Sequence, residues 1–135
     1  EHTGVFIVGH SLGGWNGAHL SEILSDKGYD VKLLITLDPV GVGGDIKLIS
    51  DIYWTTPTVK ADYWINITAE SDDYAFDDFI ADAGGQWKPK TGMQINDICN
   101  CHHGRAGKMF NKSLKDTNIS ASDMLLQQIE LYLSK

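Results

Sequence analysis

The stretch Val5-Phe6-Ile7-Val8, followed by Gly9-His10-Ser11-Leu12-Gly13-Gly14, constrains this chain more than any other. Four apolar residues read as a buried strand, and the pattern from Leu12 onward reads as a helix. Between them stands G-x-S-x-G, the pattern of a sharp strand-to-helix elbow that holds a serine in a strained backbone conformation. Glycine is expected on both sides, because side chains there crowd the turn. The serine hydroxyl is then presented above the sheet. The amide of the next residue, Leu12, points toward the same space.

An elbow needs a sheet behind it and helices to cover that sheet, and the rest of the chain supplies both. Strands are expected at 3–8, 31–37, 63–69 and 95–101, the second nearly all apolar as in a parallel strand covered on both faces. Helices are expected at 12–27, 104–114 and 120–133, with further candidates at 46–54 and 74–83. In the first helix Leu12, Trp15, Leu20, Ile23 and Leu24 form an apolar stripe, and Gly28 is a stop. In the last, Ser120 is the N-cap, and Leu125, Ile129 and Leu133 share a face. Strand and helix alternate, so the expected class is α/β: a mostly parallel sheet with flanking helices, in a single domain over residues 1–135.

Charge and cysteine content narrow the function classes. A net charge of −7 argues against a nucleic-acid surface and against attraction to anionic lipid. No apolar run approaches the length of a membrane span, and no secretory signal is visible. Cys99 and Cys101 are two residues apart, and closing so small a ring is geometrically poor. Free thiols, and with them a lean to a reducing compartment, are expected. With His102 and His103 the cysteines make four metal-donor types, but so close in sequence that a tetrahedral shell is disfavoured. Neither a metal nor another cofactor is expected. Asn66, Asn111 and Asn118 open glycosylation triplets, which carry little weight, Asn66 least because it falls in a buried strand.

A serine hydroxyl is a weak nucleophile, so it needs a base within hydrogen-bond reach and an anion to orient that base. Ligands in parallel sheets gather at the carboxyl ends of the strands. Ser11 stands there after the first strand, Asp38 after the second and His102-His103 after the fourth. For the base, His103 is preferred, because the residues three and four on are the small Ala106 and Gly107. From His102 they are Arg105 and Ala106, and His102 stays the alternative. For the acid, Asp38 closes a strand directly, whereas Glu70, Asp72 and Asp73 fall in a long acidic connection, with Asp72 as the alternative. His10 reads as a packing or pocket-lining residue, His19 as a helix-surface residue and His2 as part of a frayed terminus. Tyr53, Trp54, Tyr63, Trp64 and Trp87 suit either an acyl pocket or the core.

Gly9-His10-Ser11-Leu12-Gly13-Gly14 resembles the elbow of lipases and esterases in the α/β-hydrolase superfamily. Leu37-Asp38-Pro39-Val40 resembles the acid position of pancreatic-type lipases. Cys101-His102-His103-Gly104 stands where the superfamily places its histidine. Most members take their acid one strand later, where this chain has Glu70, Asp72 and Asp73. The resemblance implies a serine hydrolase that cleaves carboxylic esters, small-molecule or lipid, through an acyl-enzyme. Ser11 is then the nucleophile, His103 the base, Asp38 the orienting acid and the Leu12 amide an oxyanion donor. The superfamily has several strands before the elbow and an early loop that supplies a second oxyanion donor. The expectation is therefore a truncated α/β-hydrolase fold lacking those strands, the C-terminal part of a longer hydrolase. Its exposed sheet edge calls for upstream residues, a second copy or a partner chain. The competing expectation is a non-catalytic interaction or structural module on the same scaffold.

Overall fold

The computed structural model describes residues 3–43, 55–71 and 85–135. The candidate helices at 46–54 and 74–83, and residues His2, Tyr53, Trp54, Asp72 and Asp73, lie outside the described residues. Four strands, β1 (Gly4–His10), β2 (Asp30–Leu37), β3 (Trp64–Ala69) and β4 (Ile95–Cys99), form one sheet in that spatial order. Every neighbouring pair is parallel. The helices are α1 (Leu12–Asp26), α2 (Ala106–Asn111) and α3 (Ala121–Leu133). The arrangement is α/β, as the alternation of patterns implies. Among the described residues no helix is long and apolar enough to cross a membrane.

The two faces of the sheet are filled differently. Leu33, Ile35, Leu37, Ile65, Ile67 and Ala69 meet Met109, Leu114 and Ala121 of the α2–α3 side in one apolar cluster. On the α1 side, Ile7, Val31, Leu34 and Trp64 pack against Ala18. That second face also carries a polar ladder, buried at Trp64, Thr36 and Asn66 and reaching the surface at Asn96. Trp64 Nε1–H donates to Thr36 Oγ1 at 3.0 Å, and Thr36 donates to Asn66 Oδ1 at 2.7 Å. Asn66 Nδ2 donates to Asn96 Oδ1 at 3.0 Å. Buried polar groups are tolerated when each finds a partner, and these do. Asn66 is fully buried, as expected for a residue in a covered strand.

Of the expected apolar stripe on α1, Trp15 is fully buried and Leu24 packs on the core, but the closest approach to the sheet is made through small residues. Gly14, Trp15, Gly17, Ala18 and Ser21 are buried, while Leu20 is 40% exposed. A Cβ on Gly17 would sit 3.2 Å from Ile7 Cγ2, and one on Gly14 would sit 3.0 Å from Pro39 Cβ. Close packing behind an elbow selects small side chains at helical spacing, and Leu20 is displaced to the flank. The helix stops as expected. Gly28, at φ +94°, donates to the Ser25 carbonyl, and Tyr29 donates to that of Leu24, the paired bonds of a Schellman stop.

In α3, Ser120 caps the helix by accepting from the Asp123 amide at 3.1 Å, as expected. Its inner face drifts, because repeated steps of four overshoot a 3.6-residue turn. Leu133, expected on that face, is 63% exposed. Tyr132 takes its place, and its hydroxyl accepts from the Gly4 amide at 2.7 Å.

Strand β4 ends at Cys99, two residues before the expected limit, and the chain turns there, with the Cys101 amide donating to the Cys99 carbonyl at 2.8 Å. The turn sets the two Cα atoms 5.3 Å apart, a separation that disulfides commonly span, and Cys99 and Cys101 are joined. The expectation of free thiols is overturned, and the lean to a reducing compartment loses its basis.

Candidate active site

The elbow forms as its sequence requires. Ser11 follows the last residue of β1 and has φ 58° and ψ −124°, a conformation that costs a non-glycine residue roughly 1–3 kcal/mol. Backbone bonds hold it there. Its amide donates to the Leu37 carbonyl at 3.0 Å, and its carbonyl accepts from Gly14 and Val40, each at 3.0 Å. A serine at a helix N-cap ordinarily turns its hydroxyl onto the first free amides of the helix. Here it makes no such bond, and the hydroxyl reaches across the sheet instead. Leu12 is the first helical residue, so its N–H has no acceptor four residues back within the helix.

Only one of the two expected glycine constraints holds. A Cβ on Gly9 would lie 2.2 Å from the Gly13 carbonyl oxygen and 2.9 Å from Gly14 Cα, so no side chain fits there. At Gly13 a Cβ would meet nothing within 4 Å among the described residues. The turn is crowded from the strand side, and the second close approach belongs to Gly14.

Asp38 stands one residue past β2, also at positive φ (45°), and is fully buried. Its amide extends the ladder onto the Ile67 carbonyl at 2.7 Å. One carboxylate oxygen, Oδ1, accepts from the Ala69 amide at 3.0 Å and from the side-chain amide of Gln86. The same Gln86 nitrogen donates to the Ala69 carbonyl at 3.0 Å. The other oxygen, Oδ2, accepts from His103 Nδ1–H at 2.5 Å. His103 Nε2 lies 2.8 Å from Ser11 Oγ. With Nδ1 committed as a donor to a carboxylate, the neutral ring offers a lone pair at Nε2, and Ser11 donates its hydroxyl hydrogen to it. Three groups separated by up to 92 residues in sequence thus form one hydrogen-bond chain, with the histidine 4% exposed.

The structure brings together Ser11, His103 and Asp38, with Leu12 following the serine. It is His103 and not His102 that stands between the other two. The helical spacing from His103 to Ala106 and Gly107 does not place it. Helix α2 begins only at Ala106, Ala106 is half-buried and Gly107 is exposed, so His103 precedes the helix and helical spacing does not orient it. Glu70 is turned away from this chain and pairs with Lys88 at 3.2 Å.

Other assignments need revision. His19 is buried at 8% exposure rather than lying on the helix surface, and its Nε2–H donates to the Thr55 carbonyl at 2.6 Å. The segment starting at Thr55 covers that face of α1, and helical spacing alone does not reveal such a cover. Trp64 stacks on Trp87 with centroids 5.8 Å apart, and Trp87 meets Trp15 edge-on at 5.7 Å. Trp64 opens β3, at the end of the sheet opposite Ser11, and packs in the core rather than lining an acyl pocket. Gln86 was missed. Its only local signal is the glycine pair before it, and its partner lies 48 residues away.

Among the described residues, no group of three or more His, Cys, Asp or Glu side chains is placed to hold a metal ion. No protein-family model matches the chain, and neither does a curated protein or a solved structure.

Proposed function

We propose that this chain is a serine hydrolase of the lipase or esterase type, on an α/β-hydrolase scaffold. The observation that carries the reading is the hydrogen-bond chain from Ser11 through His103 to Asp38, with the serine held on a strained elbow. Each part has a defined task. Ser11 Oγ attacks the ester carbonyl carbon while His103 Nε2 takes its proton. Asp38 keeps the Nδ1 proton in place and stabilises the imidazolium. The Leu12 N–H donates to the carbonyl oxygen as it gains charge. His103 returns the proton to the leaving alcohol as the acyl–oxygen bond breaks. Water, deprotonated by the same ring, then releases the carboxylic acid and restores Ser11. No step calls for a metal or an organic cofactor.

Strand β1 is an edge of the sheet among the described residues, and Val8 on it is 43% exposed. An unpaired row of backbone groups invites a further strand. In this reading, residues of a longer native chain, a second copy or a partner chain pair there and bring a second oxyanion donor. The same edge favours the alternative of a non-catalytic interaction module.

Fluorophosphonate treatment followed by intact mass and peptide mapping decides between the two. One adduct on Ser11, absent from a folded Ser11→Ala variant, is the expected result. Labelling that survives in Ser11→Ala overturns Ser11 as the nucleophile, and an inert Ser11 in a chain extended by the strands before the elbow moves the assignment to the interaction module.

A further inference from the structure

The base is the least anchored member of the site by chain geometry. It rides on the segment between β4 and α2, whereas its serine follows β1 at the opposite edge of the sheet. Three strand spacings separate those edges, about 14 Å at the usual interval. The segment carrying His103 therefore arches back over the ends of β3 and β2. A serine–histidine contact needs its partners placed to within about 0.5 Å, which an arch of irregular backbone does not guarantee.

His10 closes that gap. It is the last residue of β1 and the immediate neighbour of Ser11. Its Nε2 lies 2.7 Å from the backbone carbonyl of His103. A carbonyl only accepts, so the His10 ring carries its proton at Nε2 and donates it there. The two imidazoles also stack, with centroids 4.9 Å apart and planes inclined by 29°. One side chain thus grips both the main chain and the ring face of the base. We propose that His10 is a positioning residue: it ties the segment carrying His103 to the strand that presents Ser11 and sets the plane of the His103 ring. This rests on the serine-hydrolase reading and adds to it a role for the residue inside the elbow. The Nε2–H contact fixes the backbone of the base, the stacked face restricts rotation of its ring, and Asp38 fixes the Nδ1 side.

The test compares His10→Ala with His10→Gln in the full chain. A glutamine amide N–H reaches close to where His10 Nε2–H points, so it restores the donor without the ring. The rate of fluorophosphonate addition to Ser11 is expected to fall about tenfold to a hundredfold in His10→Ala, the scale for misplacement of a reacting group. His10→Gln is expected to recover to within about threefold of wild type. Wild-type rates in His10→Ala, or a His10→Gln as slow as His10→Ala, overturn the proposal. If His10→Ala does not fold, His10→Phe, which keeps a ring and removes the donor, takes its place with an expected slowing of about tenfold. A second readout is independent of chemistry: the downfield NMR resonance of the His103 Nδ1 proton on Asp38. It should broaden in His10→Ala and sharpen again in His10→Gln. A resonance unchanged in His10→Ala overturns the positioning role even if no variant reacts. Where the wild type is unreactive, a resonance that follows the expected pattern still supports the positioning role, so that role and the hydrolase reading fail separately.

Discussion

Ser11 and Asp38 are held in one way and His103 in another. The first two stand one residue past neighbouring strands, each at positive φ, and their amides continue the sheet ladder onto Leu37 and Ile67. Backbone fixes them, at a conformational cost of about 1–3 kcal/mol each. His103 stands four residues past β4, and side chains from β1 and from the turn after β2 locate it. Local sequence can encode a strained turn. It cannot encode an arch that becomes accurate only when distant elements have docked.

Mutations that break one kind of hold and not the other sharpen this contrast. The largest effect is expected from Asp38→Asn, which leaves the turn but presents His103 with the wrong partner: esterase turnover should fall by about 10,000-fold. Steady-state assays check this, and a loss under about tenfold would move the acid elsewhere. Next comes the elbow itself. Gly9→Ala drives a Cβ into the Gly13 backbone and should destabilise the fold by about 3 kcal/mol. Gly13→Ala meets open space within a helix and should stabilise by about 0.5–1 kcal/mol. Urea midpoints of the pair read the difference directly, and equal midpoints would mean that the strand side of the turn is not the crowded one. Gln86→Met removes a donor from the buried Asp38 carboxylate while keeping much of the side-chain volume. The expected loss is about tenfold in kcat with KM unchanged, the scale of one hydrogen bond to a charged group.

A smaller effect concerns the strand before His103. Burial pushes the Asp97 carboxyl up. The Lys112 ammonium, with the amides of Lys115 and Ile98, outweighs burial and holds the group below its ordinary value. A carboxylate depressed in the folded state contributes stability above its unfolded pKa, and loses it as pH falls through the folded one. Asp97→Asn should therefore flatten the stability curve below about pH 4 and lower the plateau above it. Urea unfolding across pH 3–6 measures both, and parallel curves would assign Asp97 no such part. The smallest effect is expected from Glu70→Gln and Asp72→Asn, which should leave turnover within about twofold. A large loss in either would return the acid to the later connection.

Much of the fold was legible because its signals are short-range. The elbow strand, the covered second strand, the Gly28 stop and the Ser120 cap each depend on residues within a turn of one another. The inner face of α1 was legible only in part, since apolar periodicity points to Leu20, whereas contact distance behind the elbow demands Gly14, Gly17 and Ala18. The place after a strand points to the pair His102-His103, and the helical spacing offered to choose between them plays no part. Gln86 and the role of His10 become visible only through partners 48 and 93 residues away. The Cys99–Cys101 bond was hidden because it depends on where β4 stops, and boundaries are the weakest part of a pattern reading.

The ladder Thr36–Asn66–Asn96 has a further consequence. These three residues are direct register partners across β2, β3 and β4. Apolar alternation alone forbids a one-residue slip, which turns every side chain over, but it tolerates a slip of two. Such a slip in β3 would keep the leucine and isoleucine faces inward and carry Ala69 about 7 Å away from Asp38. It would also part the buried amide of Asn66 from its partners Thr36 and Asn96 on the neighbouring strands, at a cost of about 1–3 kcal/mol. The ladder thus works as a reading frame for the sheet: it rejects the misalignment that oil-and-water patterning would accept, and so decides at what height Asp38 meets its neighbours.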